Sequence, residues 1–264
     1  MQIYVGLIRL FWWNAKLKIQ RSMQYRADFL VGLVISLGFS SVGPVFQYLI
    51  FTQTRGYPGW NLRQIILFQG ILLLWTGSRE LLFGEIPYLA IELVRKGDFD
   101  RLLLKPYPPI GIILTGGFNF SSIGTIAAGL VITFYSMNAM KLGISLLQMG
   151  QLLLCLSCGL VFIMAIYILY CSIMIMVIQM QRIIEILNNL LRFADFPLEI
   201  FSKTAKVVLT TVIPIIIWNY VPAQILLQRA NPILFISCIG CLVFMALSLK
   251  IWNMCLKRYT SAGG

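Results

Sequence analysis

The chain reads as an all-α integral membrane protein, with six transmembrane helices, an N-terminal interfacial helix and short cytosolic helices between spans two and three. Three observations predict the class. Of 264 residues, 59% are hydrophobic and 11% charged, where a soluble domain carries about 25% charged residues. Long stretches hold no Asp, Glu, Lys or Arg, namely 29–54, 64–78, 106–140, 142–181, 207–228 and 230–249, and about 20 apolar residues cross a bilayer as a helix. These stretches do not alternate with period two, as strands of a membrane barrel must. Helices remain, because they satisfy their backbone groups internally. The whole chain, 1–264, forms one transmembrane domain on this reading.

Residues 1–24 begin it with an interfacial elbow. Ile3, Leu7, Leu10 and Phe11 fall at helical spacing, and Trp12 and Trp13 suit the headgroup zone. Lys18 spoils the polar face by falling on the Phe11 side; an ordinary cytosolic extension is the other reading. No small-residue cleavage site follows a short apolar run, so the first span is expected to be retained. Span one covers about 29–50. "TRGYPGWNLR" (54–63) then turns the chain with Gly56, Pro58 and Gly59. Span two covers about 64–83, a charged segment 84–108, and span three about 109–136.

Lys and Arg gather in the N-terminal segment, in 79–108 and in the C-terminal tail. The positive-inside rule places all three in the cytosol and requires an even number of spans. The second half allows two layouts. In one, 144–180 is a single long helix, 181–206 is cytosolic and 207–227 crosses fully. In the other, two spans share 144–193 through a tight turn, and 197–227 dips into the outer leaflet and returns. Charge mildly favours the first, because Arg182, Arg192, Lys203 and Lys206 then lie inside. Pro197, Pro214 and Pro222 favour the second, since they divide the segment into short pieces.

"VRKGDFDRLLLKPYPP" (94–109) is the densest charge cluster. Pro87 suits a helix start. Gly97 suits a left-handed stop and Asp98 the cap of the next helix. Asp100 in its first turn and Lys105 at its end match the helix dipole. Pro106, Pro108 and Pro109 close the segment. It reads as a stiff cytosolic knuckle with Phe99 and Leu102–Leu104 available to bury; a solvated loop that only anchors topology is the plainer alternative.

This stretch resembles the G-x-[FL]-D-x-x-L-x-[KR]-P signature of ABC-2 type permeases, the membrane subunits of bacterial ABC transporters. "FPLEIFSKTAKVVLTTVIPIIIWNYVPAQILL" (196–227) resembles, more loosely, the segment before the last span in that family. The resemblance implies that 84–108 couples to a separate ATPase subunit, with Glu92, Arg95, Lys96, Gly97 and Asp98 among the contacts. Phe99, Asp100, Arg101 and Leu104 complete that set. It also implies the re-entrant pair at 197–227, a second permease subunit (identical or related), a surround of membrane lipids, and location in the bacterial inner membrane with both termini cytosolic. It tips the layout toward the second arrangement, with the positive charges at 182–206 as the departure. ATP and Mg are expected in the partner subunit and no cofactor in this chain.

Several chemistries find no support. The sequence has no G-x-x-x-x-G-K-[ST] phosphate loop and no histidine, which excludes ATP hydrolysis by that route, His-based triads and HExxH zinc sites. Nine carboxylates, mostly grouped with the cytosolic basic residues, give no mid-span relay for an ion-driven carrier. The net charge of +12 belongs to span edges rather than to nucleic-acid binding. "CLSC" (155–158) and "CIGC" (238–241) lie in apolar runs, where packing competes with metal or redox chemistry. "GGFNFSSIGTIAAG" (116–129) permits close helix approach, either at a dimer seam or within the subunit. The function expected is a permease half of an ATP-driven exporter. An ATP-independent carrier or channel is the main alternative and a lipid-acting membrane enzyme the second.

Overall fold

The computed structural model describes residues 2–176, 183–229 and 233–260, all helical or irregular with no strand among them. Helix α1 (Gln2–Gln24) leads through Tyr25 into α2 (Arg26–Gln53). The loop to α3 (Leu62–Phe83) turns at Gly56 and Gly59, both at positive φ (65° and 76°). α3 begins in a reciprocal cap: the Gln64 amide donates to Asn61 Oδ1 at 2.9 Å and the Asn61 amide to Gln64 Oε1 at 3.1 Å.

Short helices follow: α4 (Ile86–Arg95), α5 (Phe99–Leu103) and α6 (Pro109–Thr115). A 3-10 turn at Phe120–Ser122 opens α7 (Ile123–Ala139), and α8 runs Leu146–Met176. Beyond residue 182 come α9 (Ile183–Leu191), α10 (Lys203–Val207), a π-helical turn at Val208–Val212, a 3-10 turn at Ile215–Trp218 and α11 (Tyr220–Leu226). α12 (Ile233–Lys257) closes the fold.

Two helix pairs form the frame, α3 on α7 and α8 on α12. Small residues set the first. A Cβ on Gly129 would sit 2.6 Å from the Leu74 amide nitrogen, and one on Gly70 would sit 2.8 Å from that of Thr133. Gly124 abuts Ser36 and Leu33 of α2 in the same way. The small residues of 116–129 thus serve packing within the subunit. Hydroxyls add to it: Ser36 and Thr125 lie 2.9 Å apart, and Ser40 donates to Thr125 at 3.2 Å. α2 turns Leu30, Val31, Val34, Phe39 and Phe46 outward, each more than half exposed, as a lipid-facing helix does.

Among the described residues, five helical stretches are long and apolar enough to cross a membrane: Arg26–Gln53, Leu62–Arg95, Phe120–Ala139, Leu146–Met176 and Ile233–Lys257. The protein is a multi-pass membrane protein. Of the two spans expected to share 144–193, α8 forms one as a single helix over Leu146–Met176; of the remainder, 177–182 lie outside the described residues and α9 supplies nine. No helix crosses at 207–227, so the layout with a full span there is not formed. Pro214, the π-helical turn before it and Asn219 after it break that stretch into pieces. The 31 residues of α8 run about 46 Å at 1.5 Å per residue, longer than the hydrocarbon layer of about 30 Å.

Span three also departs from the sequence reading of 109–136. The helix stops at Thr115 and resumes at Phe120. The break is held from α1: Lys18 Nζ donates to the Gly116 and Phe118 carbonyls at 2.9 and 2.8 Å, and Asn14 to the Thr115 carbonyl at 3.2 Å. Phe11 meets Phe118 edge-on at 6.1 Å. Lys18 therefore belongs on the Phe11 side of α1, because that side carries the broken helix. Burial pushes its ammonium below the usual lysine range, with the charge of Glu85 opposing.

The α3–α7 contact generates a prediction. Gly129→Leu drives a side chain into the backbone of α3 and is expected to cost about 3 kcal/mol. Gly150→Leu, where a Cβ meets open space, is expected to stay within about 0.5 kcal/mol. Thermal unfolding of detergent-solubilised protein, followed by size-exclusion recovery, separates the two.

Candidate functional site

The segment 84–108 is built on a buried floor with a charged roof. α4 places Ile86, Ala90 and Val94 inward, and α5 does the same with Phe99 and Leu102. Phe99 is fully buried, edge-on to Trp252 of α12 at 6.4 Å and to Tyr259 at 4.8 Å. Tyr170 of α8 donates to the Pro87 carbonyl at 3.4 Å. The floor thus ties the segment to both members of the α8–α12 pair.

Between the two short helices Gly97 adopts φ +70° and donates from its amide to the Val94 carbonyl. This is the left-handed stop its sequence position suggests. Asp98 differs from expectation. Its side chain caps no amide; its carboxylate instead accepts from Arg101 at 3.3 Å. With αR backbone at Asp98, the carboxylate does not reach back over the first turn as an extended cap residue does.

The roof carries Glu92, Arg95, Lys96 and Arg101, all exposed. Lys96 pairs with Glu92 at 2.9 Å, one helical turn away. That hydrogen bond, aided by the ammonium charge, holds Glu92 below the usual carboxylate range. Asp98, Asp100 and Gly97 are half-buried at the rim. Leu104 projects from the end of α5 with 87% of its surface exposed, and Leu103 is partly exposed beside it. Of the nine residues singled out from sequence, eight surround the roof and one, Phe99, belongs to the floor.

Two further groups were not legible as sites. The first is a knot at the α2–α3 loop. Glu199 accepts from Trp60 Nε1 and from the Tyr220 hydroxyl, both at 2.8 Å. Arg229 stacks on Trp60 at 5.6 Å. The second joins Arg79 of α3, Asn188 of α9, Arg192, Asp195 and Trp218 around one cavity. Sequence reasoning grouped Arg79 and Glu80 with the cytosolic charges. Their position inside the last turn of span two was the available signal, since ionisable residues within a span are functional by default.

The two cysteine motifs converge on the α8–α12 contact, where Cys155 and Cys241 are fully buried and Cys158 and Cys238 half-buried. No group of three or more metal-ligating side chains forms among the described residues.

A family model described as ABC-2 family transporter protein matches residues 39–263, which include the knuckle, the frame and the broken segment before α12. No curated protein and no solved structure matches the chain. With most of its length covered by that model, the chain belongs to the ABC-2 transporter family.

Proposed function

We propose that the chain is the membrane-spanning permease subunit of an ATP-driven exporter, forming half of a translocation path. Residues 84–108 face the cytosol and receive a separate ATPase subunit, which holds the ATP and Mg. The second half of the path is another permease, identical or related. The termini lie in the cytosol, the membrane is the bacterial inner membrane, and 197–227 re-enters from the outer side.

One observation carries this reading: a roof of charges beside an unburied Leu104, on a floor locked to α8 and α12. An exposed leucine ringed by charges suits an apolar anchor within a polar rim. A partner that moves this roof moves the floor with it, because Phe99 and Tyr170 leave the short helices no independent seat. A floppy loop would absorb the same push locally.

Support for re-entry comes from the broken geometry. Residues 215–226 are buried throughout, although no helix there is long enough to cross. Irregular backbone at membrane depth is tolerated where protein covers it.

The paired variant Arg101→Glu with Leu104→Glu is expected to fold normally, both side chains being exposed. It is expected to lose ATPase co-purification and nucleotide-driven transport by about tenfold or more, equivalent to at least about 1.4 kcal/mol of binding. Retention of both refutes the coupling assignment. Phe99→Ala, in contrast, is expected to cost about 3–5 kcal/mol of stability, read as a lowered thermal midpoint. Orientation is checked separately. A membrane-impermeant maleimide should label Leu104→Cys only after cells are opened, and labelling of intact cells overturns the topology.

A further inference from the structure

Arg79 lies 17 residues beyond Leu62, the first residue of α3, which is about 25 Å along the axis at 1.5 Å per residue. Its side chain is 14% exposed and pairs with Glu80. Its guanidinium stacks on Trp218, 5.8 Å from the ring centre. Across from it Arg192 follows directly on α9 and is exposed. Between them is a cavity of about 280 Å³, whose polar wall includes Thr76, Asn188 and Asp195 and whose apolar wall includes Leu72, Leu191 and Ala194.

Two donors here are unsatisfied. Arg79 Nε and Trp218 Nε1 are buried and have no hydrogen-bond partner. Glu80 engages the far end of the guanidinium only. Asp195 faces both arginines electrostatically but forms an ion pair with neither. Guanidinium and indole groups donate and never accept, so an occupant must bring acceptors. The planar fork of a guanidinium matches a carboxylate or phosphate better than any neutral group. The volume falls just below the usual range for small-molecule pockets. It admits a head group and the first carbons of a chain, which the leucine wall receives.

We propose that this cavity binds the acidic head group, carboxylate or phosphate, of an amphipathic molecule. As a cargo contact the site rests on the permease reading; as a binding site it is a property of this chain alone. Arg79 and Arg192 hold the anion from two helices. Asp195 keeps the empty cavity near neutral and weakens the hold on the ligand, which favours release. The apolar wall selects against small hydrophilic anions.

The test uses the full chain in phosphatidylcholine nanodiscs, with dodecyl phosphate as probe. The Trp218 contribution to fluorescence is isolated by subtracting the Trp218→Phe variant. Dodecyl phosphate is expected to change it saturably, and dodecyltrimethylammonium to leave it unchanged. Arg192→Gln, at an exposed position, is expected to raise the half-saturating concentration about tenfold, the loss of one charge-assisted contact. Asp195→Asn is expected to lower it. An equal response to the cationic probe, or no effect of Arg192→Gln, overturns the proposal. Phosphatidylglycerol nanodiscs identify the source: competition marks a lipid head group, and undiminished binding marks a free amphipath. Charge-selective binding in a chain that fails to capture an ATPase refutes the coupling reading and leaves the cavity standing. Charge-blind binding in a chain that does capture one refutes the cavity alone.

Discussion

In hydrocarbon a backbone group that leaves a helix must find a partner inside the protein, and this requirement organises the fold. The chain breaks its helices at two places, 115–118 and 213–219. At 115–118 the freed carbonyls are taken by Lys18 and Asn14 of α1 and by the Glu85 amide. At 213–219 Pro214 offers no amide, and Asn219 donates to the Ala194 carbonyl. Each break therefore recruits a distant segment. The N-terminal helix is fixed to the bundle by the first, and the stretch after α9 to the segment before α12 by the second.

From those clamps follows a mechanical division. The α3–α7 pair is sealed by glycines at contacts too close for a side chain, and the α8–α12 pair meets through Phe162, Phe244 and buried cysteines. The knuckle at 84–108 hangs from α3 and rests on α8 and α12, and so touches both units. A close-packed interior transmits displacement rather than absorbing it. A displacement of the roof is therefore shared between the two pairs rather than absorbed within the short helices. The Arg79 cavity sits along α3 between that knuckle and the knot on Glu199.

Much of this was legible in the chain as written. Continuous apolar runs announce membrane helices, because a charge-free stretch of span length has no stable place in water. Gly97 announces its left-handed turn, and the prolines after Lys105 the end of the knuckle. Less legible was anything set by a partner far along the chain. Lys18 looked misplaced on its helix because the carbonyls it serves are about a hundred residues away. Phe99 read as available to bury, but not against what, because its neighbours Trp252 and Tyr259 are farther still. Asp98 looked like a cap, but the backbone preceding α5 is helical rather than extended.

The sequence by itself determined the class, the approximate positions of the first two spans, the knuckle and the family likeness. These depend on composition and on spacing within one helix, where the physics is local. Tertiary structure decided where span three breaks, which small residues meet, which leucine stays outside, and that Arg79, Arg192 and Trp218 share a cavity. Those outcomes depend on which helix faces which, and a periodic apolar run carries almost no such information. Every side of it is equally content with lipid until a polar group on another helix claims one.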